Sequence, residues 1–521
     1  MSYAMLRDDG VTANSVNTTR EADCRLALPL AVARMEIAAD SPVPINEQIC
    51  RTLRNAIVAG DLPPGTLLPT SRELAQALSV GRNTVVAAYS RLIAEGYLHS
   101  KFRRGTRVTA PPQSPALAAG PLDAQLQGPD DRTEPAIEIG YQGQRTLETL
   151  QHADCDRTFG VNAPDPALYP RAPLGRLLMD AFGRGQFADN DSRTAVRRFQ
   201  EAIAAHFRQA RGVNCEASQI VPIGEISAAL DLAARLLLDP GHAVLVEDPA
   251  PAVVRAAFHA AGARVFSLPC DSSGADPAAA KSPPPRLIYV SPSLNFPNGV
   301  QMSAARRMAV LETANACGAA VFESDDFAEL LYTGARLGAI QGFDRQDRVL
   351  YYGSFKNTLG PHIRAGFLVV PPNLADAFSR MAHRVGCVPE SFVLTAVAGL
   401  IESNQYAVHV KKIRAAYAER LKLMADTCRA LLPDTQITEP HGGFHLVLGL
   451  PDEIDSEIVA GAAVKQGLAV EPLARSFARK PRANGIAFGF GAIPDRLIET
   501  AVRRFAAILL EARSGTARRV A

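Results

Sequence analysis

The sequence predicts two folded units, an N-terminal winged helix-turn-helix (α+β) joined to a large α/β domain with a largely parallel sheet. Residues 41–109 show helical apolar spacing broken by short turns and followed by two short extended pieces. From residue 137 to 521, short apolar runs alternate with long helical stretches. Between the two units, residues 110–136 are rich in Pro, Ala and Gly without apolar periodicity, which predicts a linker. Residues 1–40 are predicted to form a tail.

Composition excludes several classes of protein. Of the 521 residues, 47% are hydrophobic and 21% charged, which is typical of a globular chain. The net charge is only +2, so the whole protein is not a polycation that coats nucleic acid. The eight cysteines include no Cys-x-x-Cys pair, which argues against a zinc ribbon and favours a reducing compartment. With no apolar run for a signal peptide or a membrane span, we expect a cytoplasmic protein with no membrane partner.

The first predicted helix follows from one apolar stripe. Ile45, Ile49, Leu53 and Ile57 stand four residues apart, which places them on one helix face. The Leu-Pro-Pro-Gly run at 62–65 ends this helix.

Two further helices and a hairpin complete the predicted small unit. Thr70 and Glu73 form a capping-box pattern that opens a second helix, and residues 79–81 make a tight turn. The third helix begins at Arg82 and ends near Glu95. We expect its inner face to carry Val85, Tyr89, Leu92 and Ile93. Two short extended pieces then flank residues 101–105, which predicts a β-hairpin wing with a basic tip.

The charge of this small unit favours a nucleic-acid partner. Residues 44–108 contain nine Lys or Arg and four Asp or Glu, a net charge of +5, which leaves −3 for the rest of the chain. The basic side chains cluster at the start of the third helix and on the wing, where phosphates would lie. Arg82, Asn83 and Thr84 at that helix N-terminus could contact base edges or a phosphate. The alternative is the solvated basic face of an ordinary helical domain.

Residues 44–100 resemble the winged helix-turn-helix of the GntR family, whose members bind double-stranded DNA. In that family an arginine of the second helix, the first residues of the third helix and the wing contact the operator. The corresponding positions here are Arg72, Arg82, Asn83, Thr84, Arg103, Arg104 and Gly105. Because two-fold symmetric operators pair with two-fold symmetric proteins, we expect a homodimer.

The large unit shows the alternation of strands and helices that a parallel sheet requires. Apolar runs at 243–248, 286–292, 319–324, 348–354 and 365–370 predict strands, and helical patterns at 227–238 and 303–317 lie between them. Segments 236–249, 291–299, 323–332 and 353–371 resemble fold type I aminotransferases, specifically the MocR/GabR-type regulators. The resemblance implies a PLP-dependent-transferase-like domain (fold type I) and the cofactor pyridoxal 5′-phosphate (PLP).

The lysine that this cofactor requires is displaced in the sequence. The family pattern around it reads Gly-[Ser/Thr]-Phe-Ser-Lys-Thr-Leu-x-Pro-x-x-Arg, and in ungapped register the Schiff-base position is Asn357. Lys356 stands one residue earlier, and in an extended segment its side chain would point to the opposite side. The resemblance yields a set of candidate cofactor-binding residues, Asp325, Ser354, Lys356, Asn357 and Arg364.

The carboxylate that would contact the pyridine nitrogen is also ambiguous. Ungapped, the family Asp and Tyr correspond to Ser324 and Asp326, and a shift of one residue gives Asp325 and Phe327. Asp325 is the best candidate for the nitrogen contact. The alternative is that Asp325 is a stabilising acid at a helix N-terminus.

The phosphate and ring contacts differ from the family as well. Glu225 stands in the turn that binds phosphate in relatives, where it would repel a dianion or cap the following helix. Arg364 matches a family arginine that supports the phosphate. Pro251 replaces the aromatic residue that stacks on the ring.

The leading hypothesis is a DNA-binding transcriptional regulator whose aminotransferase-like domain is a sensor with an altered cofactor site. The effector would be a small molecule, either an amino compound or PLP. One alternative is a regulator that binds PLP through Lys356 or without a covalent bond. A second is a working PLP-dependent aminotransferase, against which Asn357 argues because an amide cannot form a Schiff base. A third is a DNA-binding protein whose large domain serves only for dimerisation. For the leading hypothesis we expect no catalytic residue and no metal site.

Overall fold

A computed structural model of the chain describes residues 43–101, 105–109, 139–150, 159–161, 163–183, 189–478 and 483–520. The chain divides into two compact units between residues 136 and 137. The predicted tail, the predicted linker and the wing residues Arg103 and Arg104 lie outside the described residues.

The first unit consists of three helices and a hairpin. The helices are α1 (Ile45–Val58), α2 (Ser71–Ala77) and α3 (Arg82–Ala94), and the strands are β1 (Leu98–Lys101) and β2 (Gly105–Val108). The two strands pair antiparallel, with Leu98 opposite Val108. Side chains of all three helices share one buried core with both of these strand residues.

Local signals in this unit have the expected geometry, with one exception. The Thr70 side chain accepts from the Glu73 backbone N–H, and the Glu73 carboxylate accepts from the Thr70 N–H, which completes the capping box. Ile93, however, is 38% exposed, so its predicted place on the inner face of α3 is wrong. The buried stripe of that helix runs through Val85, Ala88 and Leu92, and Ile93 lies about 100° further round the helix.

The second unit contains the remaining elements. Its helices are α4 (Tyr141–Leu150), α5 (Arg171–Gly183), α6 (Asp189–Arg211), α7 (Ile226–Leu237), α8 (Ala252–Ala260), α9 (Ala304–Cys317), α10 (Lys356–Leu359), α11 (Ala375–Arg384), α12 (Ser391–Glu402), α13 (Gln405–Leu431), α14 (Ser456–Lys465) and α15 (Asp495–Val520). Its strands are β3 (Ile220–Ile223), β4 (Ala243–Asp248), β5 (Arg264–Asp271), β6 (Gly274–Ala275), β7 (Leu287–Val290), β8 (Ala320–Ser324), β9 (Val349–Ser354), β10 (Gly366–Val369), β11 (Gln436–Thr438), β12 (His445–Gly449), β13 (Glu471–Pro472) and β14 (Gly485–Gly489).

An eight-stranded sheet in the order β3-β10-β9-β8-β7-β4-β5-β6 forms the centre of this unit. Neighbours from β9 through β5 are parallel, whereas β10 runs antiparallel to both β3 and β9. Alternate residues enter different cores: Tyr352 packs with α7 and α8, and Tyr351 packs with α6 and α12. Helices on both faces bury this sheet, as expected for a doubly wound α/β fold.

A separate four-stranded antiparallel sheet follows in the order β11-β12-β14-β13. Helices α13, α14 and α15 share a third buried core with its strands β12 and β14. The strands β4, β7, β8 and β9 of the large sheet point their carboxyl ends to one edge, which is where open α/β sheets bind ligands.

Candidate functional site

A cavity of ≈160 Å³ opens at the carboxyl edge of the large sheet. Residues that follow β4, β7, β8 and β9 contribute to its wall, and so does the first residue of α7. The volume is close to that of an engineered cavity of about 150 Å³ that holds benzene. Its polar lining includes Tyr289, Ser324, Asp325, Asp326, Lys356 and Asn357.

Lys356 and Asn357 both line this cavity, because residues 356–359 form the short helix α10. The prediction of an extended segment here is wrong, and with it the prediction that Lys356 points away. Successive side chains on a helix diverge by about 100°, so two neighbours can border one space. Asn357 is 5% exposed, and its Nδ2 donates to the backbone oxygen of Asp326 at 3.1 Å. Ser354 Oγ accepts from the Lys356 backbone N–H at 3.1 Å, which holds the first turn of this helix.

Asp325 is buried beneath the cavity and bound to Arg211. Its Oδ2 accepts from Arg211 Nε at 2.9 Å and from the Tyr351 hydroxyl at 2.8 Å. Burial alone would raise the pKa of Asp325, but the charge of Arg211 with these hydrogen bonds brings the pKa below its ordinary value. Its Oδ1 is buried and has no hydrogen-bond partner among the described residues.

Sequence reasoning missed Arg211, which lies 114 residues before Asp325 at the end of α6. Its guanidinium also donates to Ser293 Oγ at 2.7 Å and to the backbone oxygen of Leu337 at 2.9 Å. No local pattern marks this arginine, because only the folded sheet brings its partners together.

Asp326 also lines the cavity, but its pKa is raised whereas that of Asp325 is lowered. Its side chain is half-buried, and its Oδ1 is enclosed without a hydrogen-bond partner among the described residues. The pKa of Asp326 is raised to about 7, mainly by burial. The charge of Lys356 opposes this rise, and the charges of Asp325 and Glu225 contribute to it. This carboxyl therefore changes charge near neutral pH.

The turn before α7 carries an acid that already has a partner. Glu225 is the N-cap residue of α7, yet its side chain makes no capping hydrogen bond, so the expectation of a capping role is wrong. Glu225 Oε1 lies 3.7 Å from Arg364 Nε. The Arg364 side chain is 73% exposed, and Arg364 does not line the cavity.

These residues do not fit PLP at its phosphate end or on its ring face. A phosphate dianion at the start of α7 would meet the Glu225 carboxylate, and the arginine matched to phosphate binding faces that same carboxylate. Pro251, which the sequence comparison matched to the ring-stacking aromatic position, lines the cavity and offers no aromatic face. The Lys356 amine is the group in the cavity lining that could form a Schiff base with the PLP aldehyde.

The predicted DNA-contacting residues of the first unit lie on exposed helix surfaces. Arg72 in α2 and Arg82 and Asn83 at the start of α3 are exposed, and Thr84 is half-buried. Among the described residues, no ion pair or side-chain hydrogen bond involves Arg72 or Arg82. Gly105 begins β2 with φ of 78°, and a Cβ there would lie 2.7 Å from Leu67 Cδ1, so this position requires glycine.

Other arginines of this unit are engaged within the protein. Arg54 and Arg91 both bind Glu95, and Arg91 also binds Glu47. Arg107 donates to the Gly65 backbone oxygen at 2.8 Å. The two arginines and two glutamates of these ion pairs cancel, so the net charge of +5 is carried by the other basic residues of the unit.

Throughout the ranges that the structure describes, every helix is too short or too polar to cross a lipid bilayer.

Comparison with known proteins assigns both units. The family of bacterial regulatory proteins named gntR matches residues 45–108, and the family of class I and II aminotransferases matches residues 188–482. The structure of a multiple substrate aminotransferase from Thermococcus profundus superimposes with a TM-score of 0.62 over 72% of this chain and 98% of that chain. Its sequence is 22% identical, so this likeness shows the fold alone.

Regulators align along almost the whole chain. The probable rhizopine catabolism regulatory protein MocR of Rhizobium meliloti is 32% identical over 486 residues, covering 92% of this chain and 96% of the relative. The pyridoxine biosynthesis transcriptional regulator PdxR of Corynebacterium glutamicum is 28% identical over 471 residues, covering 89% of this chain and 94% of the relative.

The chain thus joins a GntR-type helix-turn-helix to an aminotransferase fold, which defines a class of fused transcriptional regulators. Within that class it belongs to the MocR family. The predicted family and fold class are confirmed.

Proposed function

We propose that this protein is a transcriptional regulator that binds an operator through its first unit and senses a small molecule in the cavity of its second unit. The observation that carries the DNA-binding part is the pair of exposed arginines, Arg72 and Arg82, that have no partner among the described residues. They stand on α2 and at the N-terminus of α3, where backbone N–H groups also favour phosphate. Asn83, Thr84, Arg103, Arg104 and Gly105 complete the proposed DNA-contacting set.

We propose further that the cavity holds no covalently bound PLP and that the protein has no transaminase activity. Asn357 occupies the family's lysine position in ungapped register, and an amide cannot form a Schiff base. The contact of Glu225 with Arg364 supports the same view, because it opposes phosphate binding at the start of α7.

The working unit would be a cytoplasmic homodimer, with residues 41–109 as the DNA-binding domain, 110–136 as linker and 137–521 as sensor and dimerisation domain. Two half-sites of one operator would then meet two copies of α3. A ligand in the second unit acts only if it binds one arrangement of the dimer more tightly than another.

A second candidate function is a regulator that binds PLP through Lys356. One specific observation favours it, namely that Lys356 lines the cavity beside Asp326. A dimerisation domain without a ligand is less well supported, since enclosed carboxylate oxygens without partners are costly in a purely structural core.

Selection of sequences from a random duplex pool by the full-length protein tests the DNA-binding proposal. We expect enrichment of one motif with two half-sites separated by about one helical turn. Recovery of duplexes without any shared motif would contradict it.

A further inference from the structure

We propose that Val86, on the outer face of α3, contacts the 5-methyl group of a thymine in the operator, so that an A·T base pair is favoured at that position. This inference rests on the proposed DNA-binding function and deepens it, since it names a side chain that reads a base and the base that it reads. Val86 stands outside the DNA-contacting set that the family resemblance implies.

The two faces of α3 have different surroundings. Val85, Ala88 and Leu92 are buried in the core of the first unit, which determines the side of the helix that faces inward. Val86 and Ala87 stand on the other side and are exposed, Val86 to 41%. A branched apolar side chain is therefore presented to the surroundings of the helix.

The outer face of α3 carries no charge between its two arginines. Every side chain from residue 83 to residue 90 is uncharged, although the exposed side of a surface helix usually bears charged groups. A valine at an exposed helix position gains no burial, and its helix propensity is lower than that of alanine or the long charged side chains. The fold of the first unit therefore does not require Val86. An uncharged surface of this kind suits contact with base edges better than contact with phosphates.

The position of Val86 along the helix places it at the bases. In helix-turn-helix proteins the helix after the turn lies in the major groove, with its N-terminal residues at the base edges. Arg82 begins α3, and Val86 follows four residues later, about 6 Å further along the same face. At the other end of the helix, Arg91 is bound to Glu47 and Glu95, which leaves the N-terminal half to meet DNA.

The chemistry of the valine side chain identifies the base. It has neither a hydrogen-bond donor nor an acceptor, so it cannot read a base through its polar groups. The apolar group that the major groove presents is the 5-methyl of thymine, and contact between this methyl and the Val86 side chain removes apolar surface from water. Ala87, beside it, has a single side-chain carbon and adds no bulk that would hold the helix away from the groove.

Replacement of single thymines by deoxyuridine in the selected operator tests the proposal. Deoxyuridine pairs with adenine as thymine does and lacks only the methyl group, which lies in the major groove. Fluorescence anisotropy measures binding of the full-length protein to each duplex. We expect one thymine in each half-site whose replacement weakens wild-type binding by about fourfold, the weight of one apolar carbon taken out of water.

Val86→Ser should bind the thymine and deoxyuridine duplexes with equal affinity, because serine lacks the two methyl groups that would cover the base. The ratio compares two duplexes with one protein, so a general loss of affinity in the variant does not affect it. Ile93→Ser is the matched control. Ile93 is 38% exposed and lies on the same helix, about two turns beyond Val86. This control should keep the fourfold discrimination.

Three results would overturn the inference while a shared motif is still bound and the proposed function stands. The first is that no thymine in the half-sites is sensitive to deoxyuridine, whether because none is present or because its replacement has no effect. The second is discrimination that persists in Val86→Ser, as expected if this face bound another protein instead of DNA. The third is loss of discrimination in Ile93→Ser, since the effect would then not be local to Val86. Failure of the wild-type protein to select any motif would refute the proposed function, and this inference with it.

Discussion

Arg211 Nε donates to Asp325 Oδ2 at 2.9 Å, and both side chains are at most 5% exposed. Asp325 lines the cavity, and the buried guanidinium of Arg211 keeps it ionised by lowering the pKa of the carboxyl. Asp325, which the sequence predicted to contact the pyridine nitrogen, therefore already has a positively charged partner within the protein.

Arg211→Met should destabilise the protein by about 3–5 kcal/mol, because it leaves a buried carboxylate without its partner. Urea unfolding followed by tyrosine fluorescence measures this, as the chain has no Trp. Arg197→Met on the same helix is the control, since its pair with Glu201 is exposed to solvent. The control should change stability by less than about 0.5 kcal/mol. Equal losses in the free energy of unfolding would show that the buried pair stabilises the protein no more than the exposed pair does.

Arg82→Ala should weaken operator binding by about 1–3 kcal/mol if the side chain contacts a base. Fluorescence anisotropy with the selected duplex measures the affinity at several salt concentrations. Arg91→Ala, on the same helix, is the matched control because Arg91 is bound to Glu47 and Glu95. Unchanged affinity in Arg82→Ala would remove this residue from the DNA contacts.

Asp326→Asn should stabilise the unliganded protein at about pH 8 but not at about pH 4. Burial raises the pKa of Asp326 to about 7 in the folded state, from an ordinary value of 3.8. The folded state therefore holds its proton more tightly than the unfolded state, and stability falls as pH rises between these values. The amide cannot ionise and avoids this loss, on the order of 2 kcal/mol for a half-buried group. A stability difference that does not change with pH would contradict the assignment.

Asn357→Lys combined with Glu225→Ser should create a site that borohydride and PLP label at position 357. The first change supplies an amine in the family register, and the second removes the acid from the start of α7. Peptide mass spectrometry locates the label, and Glu225→Ser alone is the control, which should remain unlabelled. Labelling of Lys356 in both proteins would mean that the register argument is wrong.

Much of the fold could be predicted because local signals determine it. The capping box at Thr70 and the helix beginning at Arg82 depend on residues close in sequence. The apolar runs of the large sheet likewise coincide with strands such as Ala243–Asp248. The antiparallel direction of β10 was not predicted, since strand direction depends on distant pairing.

The cavity was harder to predict, because single residues there depend on local geometry. An extended segment at 356–357 was the natural expectation after β9, but a helical turn begins at Lys356 and brings both side chains to the cavity. The pairings of Arg211 with Asp325 and of Arg364 with Glu225 join distant parts of the chain. The proposed DNA contacts stay predictions.

We propose that this regulator has an aminotransferase fold without the cofactor chemistry. The most direct measurement is to mix the wild-type protein with PLP, reduce it with borohydride and locate any modified lysine by peptide mass. We expect no site-specific label at Lys356, while the Asn357→Lys, Glu225→Ser variant serves as the positive control. Stoichiometric labelling of Lys356 in the wild-type protein would contradict the account.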